Sequence, residues 1–161
     1  MTTTYSIGFG QYRPMSMQRQ APLHPQWISS FIDAEGTFFV GINKKSDMKL
    51  GYQVILEFVI SQHKRDRVLL ERIQEFFGCG YIAKDGATML QYRIRAVVSV
   101  TEVLIPHLAA NPLLTQKRLD AEAFMQVHAL MVQGKHLTPE GLEMIRGIKA
   151  TMNRARMKQY K

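Results

Sequence analysis

One cysteine, Cys79, stands in 161 residues, so no internal disulfide can staple the chain, and no Cys/His cluster has the spacing of a zinc site. The five histidines, His24, His63, His107, His128 and His136, are scattered and read as surface or rim residues rather than ligands. This cysteine usage fits a reducing compartment. Long apolar runs are missing too: none approaches the roughly 20 residues of a membrane span, so no membrane partner is expected. Acids are scarce. The 13 Asp and Glu face 21 Lys and Arg, a formal net charge of +8. A chain this basic meets a polyanion, nucleic acid first and an anionic membrane second; a basic surface kept for solubility is the plain alternative.

Apolar residues make up 46% of the chain, enough for one compact domain with its own core. The ends differ in composition from the middle. Residues 1–24 hold two arginines, Arg13 and Arg19, and no acid. They read as a flexible tail, although an organellar transit peptide has a similar composition. Residues 144–161 carry six basic residues and no acid, and can lie on a phosphate backbone or be solvated. The domain is expected over 25–153, with 154–161 as a basic tail.

Periodicity gives the element order. Pro25 to Asp33 reads as a short helix with Trp27, Ile28, Phe31 and Ile32 on one broad apolar face, and Gly36 ends it. In "TFFVGIN", Phe38, Val40 and Ile42 alternate with Thr37, Phe39, Gly41 and Asn43. "YQVILEFVIS" alternates most clearly, with Tyr52, Val54, Leu56, Phe58 and Ile60 on one side. Asp66 to Phe77 is an amphipathic helix closed by Gly78. "GYIAK" and "MLQYRIRA" flank Asp85-Gly86, a hairpin signal. Thr101 is expected to cap a short helix running toward Pro106. Leu119 to Met131 marks another, and Thr138-Pro139-Glu140 opens the last. The result is α-β-β-α-β-β-α-α-α, an α+β arrangement.

Asp33 and Glu35 stand two apart where the first helix gives way to a strand. At that spacing they do not share a helix face, and a bare carboxylate there meets the partly negative end of the helix. Neighbouring carbonyls and a carboxylate together suit a hard cation such as Mg²⁺. A surface turn acid is the other reading of the same two residues.

Four segments carry a resemblance. "ISSFIDAEG", residues 28–36, resembles the signature nonapeptide of the LAGLIDADG homing endonucleases, with Ile32, Asp33, Ala34 and Gly36 identical and Glu35 in place of the final acid. "FVISQHKRDRVLLERIQEFFG" looks like the strand-to-helix segment of that family, "PLLTQKRLDAEAF" like its lysine-bearing loop and next helix, and "HLTPEGLEMIRGIKATMN" like its closing helix. The resemblance covers residues 25–153. It implies the family fold, with a curved antiparallel sheet forming a DNA-binding saddle, and an organellar setting, mitochondrion or chloroplast. The chain departs from the family at Ser29-Ser30, where Ala-Gly is usual. One motif is found, and only eight residues follow Asn153, so a homodimer is expected. One half of a longer protein is the alternative.

The resemblance also implies roles. Glu35 and the Ala34 carbonyl would hold Mg²⁺, or Mn²⁺ or Ca²⁺ in the same site. Gln62 would orient the attacking water, and Lys117 would stabilise charge on the phosphoryl group. The family's further basic residue falls at Asp66, between Arg65 and Arg67. Ser29, Ser30 and Asp33 would line a helix contact with a second copy. Outward strand residues would read the major groove of double-stranded DNA: Thr37, Phe39, Asn43, Gln53, Ile55, Glu57, Tyr81, Ala83, Gln91, Arg93 and Arg95. Lys44, Lys45, Lys49 and Lys84 are expected in loops, against phosphates. The activity implied is metal-dependent hydrolysis of both strands, leaving staggered ends. An intron-RNA maturase or a non-catalytic DNA-binding relative are the alternatives.

Overall fold

A computed structural model describes residues 21–153; both charged tails lie outside them, apart from residues 21–24. The elements are α1 (Pro25–Glu35), β1 (Gly36–Lys44), β2 (Tyr52–His63), α2 (Arg67–Phe77), β3 (Tyr81–Asp85), β4 (Met89–Ile94), α3 (Val97–Ser99), α4 (Ile105–Ala110), α5 (Lys117–Val132) and α6 (Pro139–Ala150). The α+β expectation and its order hold. The four strands form one antiparallel sheet in the order β1-β2-β4-β3.

One face of the sheet is buried under helices, because the pleat sends alternate side chains to opposite sides. Phe38 and Val40 of β1, Leu56, Phe58 and Ile60 of β2, and Leu90, Tyr92 and Ile94 of β4 point into the core. Ile28 and Ile32 of α1, Leu70, Ile73 and Phe77 of α2, and Phe124 of α5 meet them. The aromatic rings interlock: Phe38 lies 5.2 Å from Phe58 and 5.5 Å from Phe124, centroid to centroid.

Several local expectations need correcting. Residues 21–24 are held rather than loose: His24 Nδ1 accepts from the Gln26 amide and so caps α1, while Arg72 donates to the Ala21 carbonyl at 2.6 Å. The apolar face of α1 is narrower than its sequence suggests, since Ile28 and Ile32 enter the core whereas Trp27 stays 40% exposed and stacks on Phe31 at 5.0 Å. Thr101 does not cap a helix. Helix continues from Val97 through a π turn at Val100–Leu104 into α4, and the Thr101 hydroxyl donates back to Val97 O. Pro106 sits inside this run at the start of α4. A proline lacks the donor for the preceding turn and crowds its carbonyl, and a wider π turn just ahead of it relieves both. His128 is buried, not at a rim, with Nε2 2.7 Å from the Thr101 hydroxyl.

Gly36 shows why glycine joins α1 to β1. Its backbone is extended (φ −70°), so left-handed freedom is not the reason. A Cβ there would stand 2.8 Å from Ile32 O and 2.9 Å from its Cγ2. The helix therefore passes into the strand with no loop, and Glu35 is held at the junction.

Candidate active site

The C-terminal end of α1 collects the acids. Asp33 points at the segment before α5: its Oδ2 accepts from the Leu114 amide at 2.7 Å, and its Oδ1 accepts from the Thr115 amide and hydroxyl at 3.3 and 2.6 Å. The Thr115 hydroxyl oxygen then accepts from the Lys117 amide at 3.2 Å, at the first residue of α5. With this loop pinned, the Lys117 side chain reaches back, and Nζ donates to the Ala34 carbonyl at 3.2 Å. Glu35 is exposed beside it.

Burial holds the Lys117 ammonium below the usual lysine range, against the opposing pull of Asp33, Glu35 and Asp120. That pull also means the cation stands within electrostatic reach of Glu35 and offsets the unfavourable helix end on which Glu35 sits. Gln62 lies near the end of β2 on the same face as Ile60, and Ile60 pairs with Gly36, the residue after Glu35. The register thus brings Gln62 to the same end of the sheet as the acids. Beside them, Arg65 pairs with Asp66 at 3.5 Å and Arg67 with Glu71 at 2.7 Å.

The two serines diverge. Ser29 is buried, and its hydroxyl donates to Asn111 O at 2.7 Å and meets His107 Nε2 at 3.1 Å. Ser29 and Asp33 are therefore engaged within the chain, while both also line the groove beside Ser30. Ser30 is exposed, and its hydroxyl donates back to Gln26 O at 3.0 Å. It borders a groove lined also by Gln26, Ser29, Asp33, Pro112 and Leu114.

The opposite face of the sheet carries the expected strand residues. Thr37, Phe39, Asn43, Tyr81 and Arg95 are exposed; Gln53, Ile55, Glu57, Ala83, Gln91 and Arg93 are half-buried. Arg95 lies just past the end of β4. Lys45 pairs with Asp47 at 3.7 Å, and Lys49 is exposed in the turn between β1 and β2. Two lysines expected in loops lie in strands. Lys44 pairs with Tyr52 and Lys84 with Leu90, which puts both in the register of the helix-covered face rather than the outward one. The edge strands leave them exposed nonetheless.

Three features escaped sequence reading. Thr115 links Asp33 to Lys117 and has no motif of its own. Arg93 and Glu57 are joined across the sheet at 3.1 Å. Arg146 of α6 lies over the Tyr52 ring at 4.8 Å, and Lys149 is 6.0 Å from the centroid of Phe39, so cations reach the β1 edge. The acid-free composition after Met144 was the available signal for that last pair.

The sequence model of the LAGLIDADG endonucleases matches residues 28–128, a span that contains Asp33, Glu35, Gln62 and Lys117. The chain belongs to the LAGLIDADG endonuclease family. It is 38% identical over 135 residues to the probable intron-encoded endonuclease 2 of Neurospora crassa, covering 83% of this chain and 30% of that protein. The chain thus spans about a third of the length of that relative. Among solved structures, the I-LtrWI LAGLIDADG homing endonuclease bound to target DNA superposes with a TM-score of 0.82 at 34% identity, covering 84% of this chain and 46% of that one. The homing endonuclease I-TnaI gives 0.80 at 38% identity, covering 86% of this chain and 96% of that one. The fold is that of the LAGLIDADG homing endonucleases.

Proposed function

We propose that this chain is a subunit of a site-specific double-stranded DNA homing endonuclease that hydrolyses both strands with a divalent metal ion and leaves staggered ends. The observation that carries this reading is the meeting of Lys117 Nζ with the Ala34 carbonyl beside Glu35, within a chain of this family. Organellar origin belongs to the same reading, supported by the intron-encoded relative.

The donors fit a hard cation bound together with substrate. Among the described residues no three His, Cys, Asp or Glu side chains group as an all-protein cage. Mg²⁺ commonly takes one or two carboxylates and fills its remaining positions with phosphate oxygens and water. Glu35 and the Ala34 carbonyl supply such a partial set, as they would for Mn²⁺ or Ca²⁺, and the carbonyl retains a second lone pair beside its bond to Lys117. When bound, the ion would polarise the phosphoryl group and lower the pKa of water. Lys117 keeps two further N–H donors for a non-bridging phosphoryl oxygen. The Gln62 amide would orient the attacking water.

Cutting two strands takes two such sites. A second copy across the Ser30 groove would bring a second Glu35 to the foot of the paired helices, and exposed Ser30 is small enough for close approach. The outward sheet residues would enter the major groove, while Lys49, Arg146 and Lys149 meet phosphates.

Incubation of the purified chain with Mg²⁺ and its candidate intron-insertion DNA tests the reading. Both strands should be cut. Glu35→Gln, which keeps shape but removes charge, should abolish cutting while leaving DNA binding within about twofold of the parent. A Glu35→Gln chain that cuts at the parental rate would remove Glu35 from the site.

A further inference from the structure

Four polar side chains on the outward face of the sheet are bonded in series. Arg93 of β4 donates from Nη1 to Glu57 Oε1 of β2 at 3.1 Å and from Nη2 to the side-chain oxygen of Gln91. Gln91 Nε2 donates onward to Asp85 Oδ2 at 2.7 Å. The series spans three strands. It is fixed by register: Arg93 pairs with Val59 on one side and Tyr81 on the other, so Glu57 lies one diagonal step away. Glu57 is the more enclosed partner, 13% exposed against 29% for Arg93. The Nε–H of Arg93 is buried and has no hydrogen-bond partner, so the guanidinium is held from its Nη end alone.

We propose that Glu57 is a specificity-determining positioning residue that restrains Arg93 and yields it to a guanine edge but not to a phosphate. This rests on the reading of the outward face as a DNA surface. An arginine standing alone on such a face takes any nearby acceptor, and phosphate is the commonest. Here one N–H of each Nη is already used, and each Nη keeps a second. A phosphate taking those hydrogens would bring its negative charge against the Glu57 carboxylate bonded to the same guanidinium. Guanine offers O6 and N7, two neutral acceptors, and meets no such repulsion. The carboxylate itself can accept from a cytosine N4 amine, another major-groove donor. Because Glu57 is largely enclosed, salt screens its pairing little, and the penalty on wrong sequences persists in ordinary buffers. Sequence discrimination is thereby obtained from an unfavourable alternative as well as from a favourable contact.

The test is a binding experiment and needs no cleavage. A preferred duplex is selected from a pool of randomised double-stranded DNA with the full wild-type chain. Wild type, Glu57→Gln, Arg93→Ala and the double variant are then titrated against it, against each single base-pair change, and against an unselected duplex, at several salt concentrations. Glu57→Thr, which suits a strand, serves as a second variant, and thermal melting checks that each chain is folded. Glu57→Gln should bind the unselected duplex about tenfold more tightly, with a salt slope steeper by roughly one. It should lose about tenfold preference at the same base pair that Arg93→Ala relaxes, and add nothing in the Arg93→Ala background. Unchanged preference in both Glu57 variants, while Arg93→Ala relaxes one position, would overturn the proposal alone. So would an equal Glu57→Gln effect with and without Arg93, which would show general charge rather than action through the arginine. An Arg93→Ala chain with undiminished preference at every position would overturn both the proposal and the DNA-reading face beneath it.

Discussion

Asp33 accepts from both the amide and the hydroxyl of Thr115, 82 positions further along the chain, with the hydroxyl oxygen 2.6 Å from Oδ1. This pair ties the end of α1 to the start of α5 and sets where Lys117 leaves the backbone. An acid of the signature motif thereby positions the lysine that reaches back to Ala34.

Asp33→Ala should lower stability by about 1–3 kcal/mol, since charge-assisted hydrogen bonds to two amides and a hydroxyl are lost together. Cleavage should fall more than DNA binding, because Lys117 loses its fixed starting point. Asp33→Asn keeps an acceptor and should lie between the two. Chemical denaturation alongside cleavage rates checks this; an Asp33→Ala chain with parental stability and rate would detach the acid from Lys117.

Lys117 should lose its proton earlier on the alkaline side than a lysine in a short peptide, because burial penalises the charged form more than the nearby acids favour it. The folded chain then binds fewer protons than the unfolded one between those two pKa values, so this group's contribution to stability rises with pH across that window. Rates of amine acylation on the folded chain, followed by mass spectrometry as a function of pH, should show a midpoint below that of the peptide. An equal or higher midpoint would mean that the carboxylates outweigh burial.

Acid should destabilise the fold from within. Burial holds His107 and His128 below the usual histidine range. The His107 ring also meets Phe76 and Phe77 edge-on, with centroids 5.4 and 5.2 Å away. Both therefore stay neutral in the folded chain while the unfolded chain takes up protons. Stability should fall as pH drops below about 6.5 and level off once the folded-state values are passed. Melting temperatures from about pH 7.5 to about pH 5 should show this, and His128→Gln, which cannot titrate, should give a shallower fall. A parental slope in that variant would remove His128 from the effect.

Ser30→Lys should separate paired copies and abolish double-strand cutting together, since a long charged side chain cannot fit where helices approach closely. Ser30→Ala should retain both. Sedimentation of the wild-type chain, alone and with DNA, reads the assembly directly. A wild type that remains monomeric in both conditions, or a Ser30→Lys chain that pairs and cuts both strands, would contradict this.

The sequence alone determined what depends on near neighbours. The alternation in β2, the stripe of α2 and the turn at Asp85-Gly86 are local patterns, and each element formed where its pattern lies. Thr138 caps α6 as its sequence implies, accepting from the Gly141 amide at 3.1 Å. The residues of "IDAEG" marked the α1 end as the candidate site because their types and spacing match a known motif. Tertiary structure decided what depends on distant partners. The strand order β1-β2-β4-β3 put Glu57 beside Arg93, and no local pattern encodes which strands become neighbours. The Asn111 carbonyl drew Ser29 inward, and the Thr115 amide and hydroxyl engaged the half-buried Asp33 carboxylate. The helical run through Pro106 depends on the π turn ahead of it, a backbone adjustment that no local pattern announces. A side chain's face can be read from a period of two or 3.6 residues, whereas its bonding partner across 80 or so positions exists only once the chain has closed on itself.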